Sequence, residues 1–568
     1  MSFDLCFHDA LTEDVFFDSD SGFTMNYYGA KLLNKKKVFN EFRYNVKHAL
    51  EYIKRIENGE LVNSTGVLEE SENRAVDHFN LRMEEEVVKG KSLQKSIEVY
   101  NDIQEKVEEI LSGKKTTSKG LKYTDIVFNG IGGSFLGPYM MIVSQYGADF
   151  NFTSNLPVKL HFISNTDPTS FALLLSELKI ETTILVSISK SGTTAETVGN
   201  MFAFNKELEK KNLEIGEHNI GITTRDSWLH KYGLANKYLY TFHVENETGG
   251  RVSVCSAVGM VPMAFARINF IEFIKGQSHM DKLTRMEDPE KNPAMIVAII
   301  LQKITLESNH QNVVVLSYTD FLREYSHYLQ QLYCESLGKE YDINGLLINH
   351  GQTVYGGVGT SEQHSFIQQI QKGIHNVIAR FIYCRKRTTD YENQKAGTMG
   401  RQLLGFLKGT ESALIRNNRP FITCTVESNS PFNMGMLIAL EERVVAFLGA
   451  FRNLNPFDQP GVQDGKLASD FFNKFSKELI ESIAKFFADP KAESFTGGAN
   501  EALIQFMKID TVQSSDILNQ QLIIADTILS DIEANLFVSY PQLKDLISVS
   551  RSFDNSRFVY VIHHKDQN

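Results

Sequence analysis

The stretch DIVFNGIGGS (Asp125–Ser134) decides how the chain is read. Its first five residues make a short apolar strand. The glycines that follow close that strand in a tight turn, and Ser134 stands where a helix would begin. Leu160–Ser164, Thr183–Ile188 and Asn219–Thr223 repeat the pattern, each a short apolar strand with a helical stretch after it. Alternation of this kind predicts a parallel sheet with helices on both faces. The pattern pauses over Glu245–Lys303, which reads as helical after a Gly-rich entry. It resumes with NVVVLS (Asn312–Ser317), a helix over Asp320–Leu337, and strands at Val377–Cys384 and Phe421–Val426. The expected fold class is α/β, with two doubly wound parallel-sheet domains in series, flanked by N- and C-terminal helices.

Working outward, the first 115 residues or so read mostly as charged helices, for example Lys36–Asn58 and Asn80–Ser112, by their helical apolar spacing. The expected organisation is an N-terminal helical region over 1–115 that packs on the second α/β domain, a first α/β domain over 116–290, a second over 291–480, and a mainly helical tail over 481–568. The seam between the α/β domains is placed in the polar stretch Lys275–Pro293, and Phe558–His563 reads as a late strand.

A chain of 568 residues is too long for one core. Its net charge of −11 argues against nucleic acid or an anionic membrane surface as partner, so any anionic ligand must be held by a local site against the global field. The five cysteines are scattered, odd in number and without CxxC spacing. That pattern excludes a disulfide framework or a zinc site and suits a reducing cytosol. The acidic N-terminus lacks the basic start of a signal peptide. The longest apolar run, near Met295–Leu301, is far too short to span a bilayer.

Open α/β sheets bind ligands at the carboxyl ends of their strands. Two such ends are chemically rich. In Gly130-Ile-Gly-Gly-Ser134 the glycines let backbone approach a ligand, but Phe135 stands where a dinucleotide fingerprint needs glycine. In SISKSGTTAET (Ser187–Thr197), Thr193 and Glu196 fit a capping box, so a helix is expected to start just after Ser189-Lys190-Ser191-Gly192. A helix N-terminus offers N–H groups and a positive dipole end. Ser189, Ser191 and Thr194 add hydroxyls and Lys190 a point charge, which together make a phosphate cradle. No GxxxxGK[ST] loop occurs; Gly461 to Gly465-Lys466 is one residue short.

Further candidates lie in the second half. On Asp320–Leu337, Leu322, Tyr325, Leu329 and Leu332 form an apolar stripe, and Glu335 lies near the same face. A buried carboxylate there would suit a general base, while a helix-end glutamate that reaches solvent explains the position equally. Thr360 and Gln363 fit another capping box, which puts His364 in a first helical turn that keeps its ring neutral. An ordinary core or surface histidine fits as well. Arg251 follows Gly249-Gly250, and Lys466 sits in a Gly-flanked loop; each alone is also compatible with a surface charge. No HxxH or clustered Asp/His pattern supports a metal site.

Taken together these segments resemble the glucose-6-phosphate isomerase family, built from two sugar-isomerase-type domains. The resembling stretches are Gly130–Gly137, Ser189–Thr197, Gly249–Gly259, Gln331–Lys339, Gly356–Phe366 and Gln459–Lys466, in family order, with Asn73–Arg82 (NRAVDHFNLR) similar to the family's N-terminal pattern. The resemblance implies aldose–ketose isomerisation of glucose 6-phosphate and fructose 6-phosphate, in glycolysis and gluconeogenesis, with neither metal nor redox cofactor. It implies phosphate binding by Ser134, Ser189, Lys190, Ser191 and Thr194. Glu335 becomes the base, Arg251 the stabiliser of a cis-enediolate, and His364 and Lys466 the ring-opening pair, with Gly133, Gly250 and Gln459 nearby. It further implies a cytoplasmic homodimer in which His364 crosses the interface, with no nucleic-acid or membrane partner. An isomerase of a related sugar phosphate, or a non-catalytic sugar-phosphate sensor, are the alternatives. The tail beyond Lys466 is long for the family pattern.

Overall fold

Asp125–Asn129, Thr183–Ile188 and Asn219–Thr223 are buried at every residue, as strands covered on both faces must be. They form the middle of a five-stranded parallel sheet in the order Lys159–Ile163, Asp125–Asn129, Thr183–Ile188, Asn219–Thr223, Tyr240–His243. The structure is a computed structural model that describes residues 14–30, 35–64, 72–308, 310–489, 491–492, 494–507, 515–554 and 557–564. The reading of the N-terminus as no signal peptide falls mainly on residues 1–13 and lies outside the described residues.

The second sheet has six strands in the order Val15–Phe17, Thr24–Asn26, Phe421–Val426, Val377–Cys384, Asn312–Ser317, Thr353–Val358. The last four are mutually parallel, while Thr24–Asn26 runs antiparallel to Phe421–Val426. Three features differ from the expectation. The N-terminal region is not purely helical, because it supplies an antiparallel edge hairpin. Thr353–Val358 is a strand that sequence reading passes over. The helices of the N-terminal region also differ: Lys35–Glu41 and Arg43–Glu57 are separate, and the second long helix starts only at Leu93, where Ser92 accepts the Lys95 N–H as its cap.

No linker separates the two sheets. Lys275 lies inside the helix Phe270–Thr284, which packs along the fully buried stretch of Pro431–Phe451. Glycines set that contact. A Cβ at Gly276 would lie 1.9 Å from the Phe432 carbonyl oxygen, and one at Gly435 would lie 2.0 Å from that of Phe273. The chain divides once, after Asp458, so both sheets belong to one compact unit, in contrast to the boundaries expected at residues 115, 290 and 480.

The second unit begins at Gln459. It contains the helices Pro460–Phe487 and Ser515–Ser539 and an antiparallel sheet ordered Phe495–Gly497, Arg557–His564, Ile547–Asp554. Leu479, Ile483, Leu529, Ile532 and Tyr560 fill its separate core. This region is a small α+β body in which helix outweighs strand, and the late strand expected at Phe558–His563 lies within Arg557–His564. Among the described residues no helix is long and apolar enough to cross a membrane. The described cysteines Cys255, Cys334, Cys384 and Cys424 are free thiols.

Candidate active site

Adjacent strand ends bring the two Gly-rich turns together. Asn129 and Ser187 are register partners, and the Asn129 amide donates to Ser187 Oγ (3.2 Å) and to the Thr197 carbonyl (2.8 Å). Beyond Ser187 the chain turns through Gly192, whose φ of +74° few other residues adopt and whose Cβ would meet Leu229 N at 2.7 Å. Ser189 Oγ organises the turn: it accepts the Gly192 N–H (3.1 Å) and shares a hydrogen bond with Thr194 Oγ1 (2.8 Å). The helix begins at Ala195 with Thr194 as N-cap, and no capping-box hydrogen bond forms. The expected Thr193–Glu196 box is therefore absent: Thr193 instead donates its hydroxyl to Ser191 Oγ (3.2 Å). The helix start with its exposed N–H groups remains, one residue later than expected.

Lys190 reaches over this turn and donates to the Asn246 carbonyl (3.2 Å). Burial, helped by the nearby Arg74 charge, pulls its ammonium down to about 8. A half-buried cation with no carboxylate at salt-bridge distance among the described residues is suited to receive an anion.

The turn at Gly132–Ser134, which leaves the strand next to Thr183–Ile188, packs against a second cluster. A Cβ at Gly133 would lie 1.9 Å from the Gly250 carbonyl oxygen, so both backbones touch and glycine is required there. A Cβ at Gly132 would lie 3.0 Å from Gln331 Nε2. Gln331 sits one helical turn before Glu335 on Tyr325–Leu337 and donates to Glu335 Oε1 (3.0 Å). Glu335 Oε2 lies 3.3 Å from Arg251 Nε, an ion pair whose geometry is too bent to make a hydrogen bond. One carboxylate oxygen is thus held by charge alone and available to a proton.

Arg251 is only 3% exposed. Burial pulls its guanidinium below the usual range, against the opposing pull of Glu335 and Asp458. It donates to the carbonyls of Phe457 (3.2 Å) and Asp458 (2.9 Å) and to Ser336 Oγ (3.3 Å). Lys339 closes the floor with bonds to Asp458 Oδ1 (2.6 Å) and to the Glu335 carbonyl (3.0 Å). Burial lowers its ammonium too. A carboxylate faced by a fixed, desolvated guanidinium is an arrangement that can move a proton on carbon while an adjacent oxygen carries the charge.

The structure thus gathers Gly133, Gly250, Arg251 and Glu335 in one group and Ser189, Lys190, Ser191 and Thr194 in another, with Ser134 in the Gly132–Ser134 turn. Among the described residues no hydrogen bond or ion pair ties His364 to either group. His364 follows the short helix Gly359–Glu362, is exposed, and bonds through its N–H to the Ser361 carbonyl (3.0 Å). The expected Thr360–Gln363 box does not form, because the Gln363 amide donates to Tyr318 Oη (2.9 Å) and to Thr410. Gln459 is the residue before the helix Pro460–Phe487, and Lys466 is exposed on that helix, both in the second unit. Among the described residues no group of His, Cys, Asp or Glu side chains is placed to hold a metal ion. Sequence reading missed Gln331, Lys339 and Asp458. The spacing of four marks Gln331 as a helix-turn neighbour of Glu335, whereas Lys339 lies past the helix end at the start of the strand Lys339–Tyr341.

With this geometry in place, the comparisons with known proteins are specific. The family model described as phosphoglucose isomerase matches residues 33–415. A glucose-6-phosphate isomerase of Prochlorococcus marinus (strain MIT 9301) is 35% identical over 491 residues, 84% of this chain and 90% of that relative. Glucose-6-phosphate isomerase 1, chloroplastic, of Arabidopsis thaliana is 36% identical over 443 residues, 77% of this chain and 70% of that protein. The crystal structure of a glucose-6-phosphate isomerase from Chlamydia trachomatis superposes with a TM-score of 0.71 at 25% identity, over 83% of this chain and 91% of that one.

Proposed function

The chain belongs to the phosphoglucose isomerase family, and from that premise we propose how its own residues divide the work. It is an isomerase that interconverts glucose 6-phosphate and fructose 6-phosphate, a step of carbohydrate metabolism. The observation that carries the division of labour is the presence of two clusters. Hydroxyls and a helix N-terminus make one, and Glu335 with Arg251 make the other, against which the Gly132–Ser134 turn packs.

The substrate's phosphate sits on Ser134, Ser189, Lys190, Ser191 and Thr194. Binding energy from that remote group positions the reacting carbons. Glu335 takes the proton from C2 of the open-chain aldose. The C–H electron pair becomes the C1=C2 bond, and the carbonyl pair moves onto O1. Arg251 faces this developing charge. Glu335 returns the proton to C1, C2 becomes the carbonyl carbon, and the O2 proton passes to O1. Hydrogen is redistributed within one molecule, so the reaction balances without an outside oxidant or reductant. Gly133 and Gly250 keep the backbone low beneath the sugar. Opening of the ring is assigned to His364 and Lys466, and Gln459 is assigned to substrate binding.

Thr194→Ala and Ser191→Ala test the cradle. Each removes one hydroxyl donor to a charged group, worth about 1.5–3 kcal/mol, so KM for fructose 6-phosphate rises by roughly 10- to 100-fold with a smaller change in kcat. Equal affinity for phosphorylated and unphosphorylated sugar would sink this assignment.

His364 acts in the site of a second copy, a reading supported by its exposure. Co-refolding Glu335→Gln with His364→Ala protein is the test. In a random mixture half of the dimers pair the two variants, and each of these regains one intact site. About a quarter of the wild-type activity then returns. Failure to recover activity would place His364 in the site of its own chain. The unpaired cysteines fit a reducing compartment, and the cytoplasm is the proposed location.

A further inference from the structure

Lys190 and Arg74 share one acceptor. Both donate to the carbonyl of Asn246, Lys190 Nζ at 3.2 Å and Arg74 Nη1 at 2.9 Å. Placing a guanidinium beside a partly desolvated ammonium is unfavourable unless something fixes it there. The fixing is visible. Arg74 Nε donates to Glu72 Oε2 (2.5 Å), which also accepts from Asn63 Nδ2 (2.7 Å). Asn63 and Arg74 exchange backbone hydrogen bonds (3.1 and 3.3 Å). Asn63 Oδ1 accepts from Asn455, and Asn455 Oδ1 accepts the Phe457 N–H. Phe457 and Asp458 present the carbonyls that hold Arg251. Asn63 and Asn455 are fully buried. An unbroken polar path therefore runs from the arginine of the reacting end, through Arg74, to the lysine of the cradle.

We propose that Arg74 is a positioning residue for the isomerisation: it locks the Asn246 carbonyl and through it holds the Lys190 ammonium, free of any carboxylate, where the substrate's phosphate arrives. The proposal rests on the reading of Lys190 as a phosphate ligand. Arg74 is not itself a catalytic residue in this scheme. Its value is that a flexible lysine stem is fixed before the anion binds, which removes an ordering cost from binding. The charges that face Lys190 are Arg74, Glu72, Asp77 and Glu247, and the last two are already engaged by Lys91 (3.0 and 3.4 Å). Arg74 is the one like charge among them, so it favours deprotonation of Lys190 in the empty site.

The test is a double-mutant cycle read in KM for fructose 6-phosphate, with Arg74→Gln, Lys190→Met and both together. Each single variant is expected to raise KM about 10-fold with kcat changed less, and the double variant to match Lys190→Met alone. Effects that multiply in the double variant, or an unchanged KM in Arg74→Gln, overturn the proposal. An unchanged KM in Lys190→Met overturns the cradle reading itself and the proposal with it. The second readout is pH. In the wild type, KM climbs as pH rises through about 8, where Lys190 loses its proton. In Arg74→Gln that climb moves to higher pH, which a loss of packing would not produce. Arg74→Lys keeps the charge but not the fork that spans Glu72 and Asn246, so it raises KM and leaves the position of the climb unchanged. It also serves as the test variant if Arg74→Gln fails to fold.

Discussion

Glu335→Gln lowers kcat for fructose 6-phosphate by roughly 10²- to 10⁴-fold while KM stays near the wild-type value. The substitution is close to isosteric, so the fold and the cradle are undisturbed. The single amide oxygen keeps the Gln331 bond, and the amide nitrogen then takes the place of the oxygen that faced Arg251 through charge alone. What disappears is the one group able to accept a proton from C2 and deliver it to C1. The expected kinetic pattern follows from this: transition-state stabilisation is lost and ground-state binding is retained. A coupled assay in the direction of glucose 6-phosphate gives kcat. Calorimetric titration with fructose 6-phosphate gives the retained affinity. Proton exchange at C1 of the substrate in deuterated water should stop as well, because that exchange needs the same base. A variant that keeps kcat within a factor of a few of the wild type would remove Glu335 from the role. A variant that loses affinity and turnover together would make Glu335 a binding group rather than the base.

Much of the molecule was legible where function and structure are local. The strands Asp125–Asn129 and Thr183–Ile188 are buried on both faces, so they appear as continuous apolar runs that glycine and serine punctuate. The cradle is a single loop, and its hydroxyls are visible as a cluster. Its cap was misplaced by one residue because Gly192 takes a positive φ, and the turn this makes spends Thr193 on Ser191 rather than on the helix. Thr353–Val358 escaped notice because two glycines interrupt its apolar pattern, although one of them is needed: a Cβ at Gly356 would lie 1.9 Å from the Val315 carbonyl oxygen of the neighbouring strand. The hairpin strands Val15–Phe17 and Thr24–Asn26 are three residues each, and the second pairs with a strand some 400 positions away, as Met25 does with Cys424. No local pattern carries that information. The same holds for the path from Arg251 through Asn455 and Asn63 to Arg74, whose members lie far apart in sequence and are joined only by the fold.

Asp281→Asn is expected to destabilise the first unit by about 3–5 kcal/mol. Asp281 stands fully buried between two buried arginines. Its Oδ2 lies 2.7 Å from Arg82 Nε and its Oδ1 lies 2.9 Å from Arg443 Nε. Arg82 also pairs with Glu442, and Arg443 with Glu57 (2.6 Å). The five groups come from four separate parts of the chain: the helix Arg43–Glu57, the turn Asn80–Arg82, the helix Phe270–Thr284 and the helix Pro431–Phe451. Burial alone would raise the Asp281 carboxyl, but Arg443 and Arg82 reverse this and hold it well below the usual carboxylate range. A depressed carboxylate contributes stability that is complete above its unfolded value, about 4, and is lost as pH falls through the folded value. Asparagine abolishes that contribution at every pH and turns an amide toward one guanidinium, leaving buried positive charge without its central counter-ion. The measurement is the urea midpoint of the wild type and the variant at neutral pH and again near pH 3. The gap should be wide at neutral pH and should narrow in acid, where the unfolded chain's carboxylate takes up its proton and the contribution begins to be lost. An unchanged midpoint at neutral pH would mean that Glu57 and Glu442 alone neutralise the arginines. The consequence reaches the active site, because Arg82 anchors the same N-terminal segment that presents Arg74 to Asn246. Loss of Asp281 should therefore raise KM at temperatures well below those that unfold the protein, through the cradle lysine and not through Glu335.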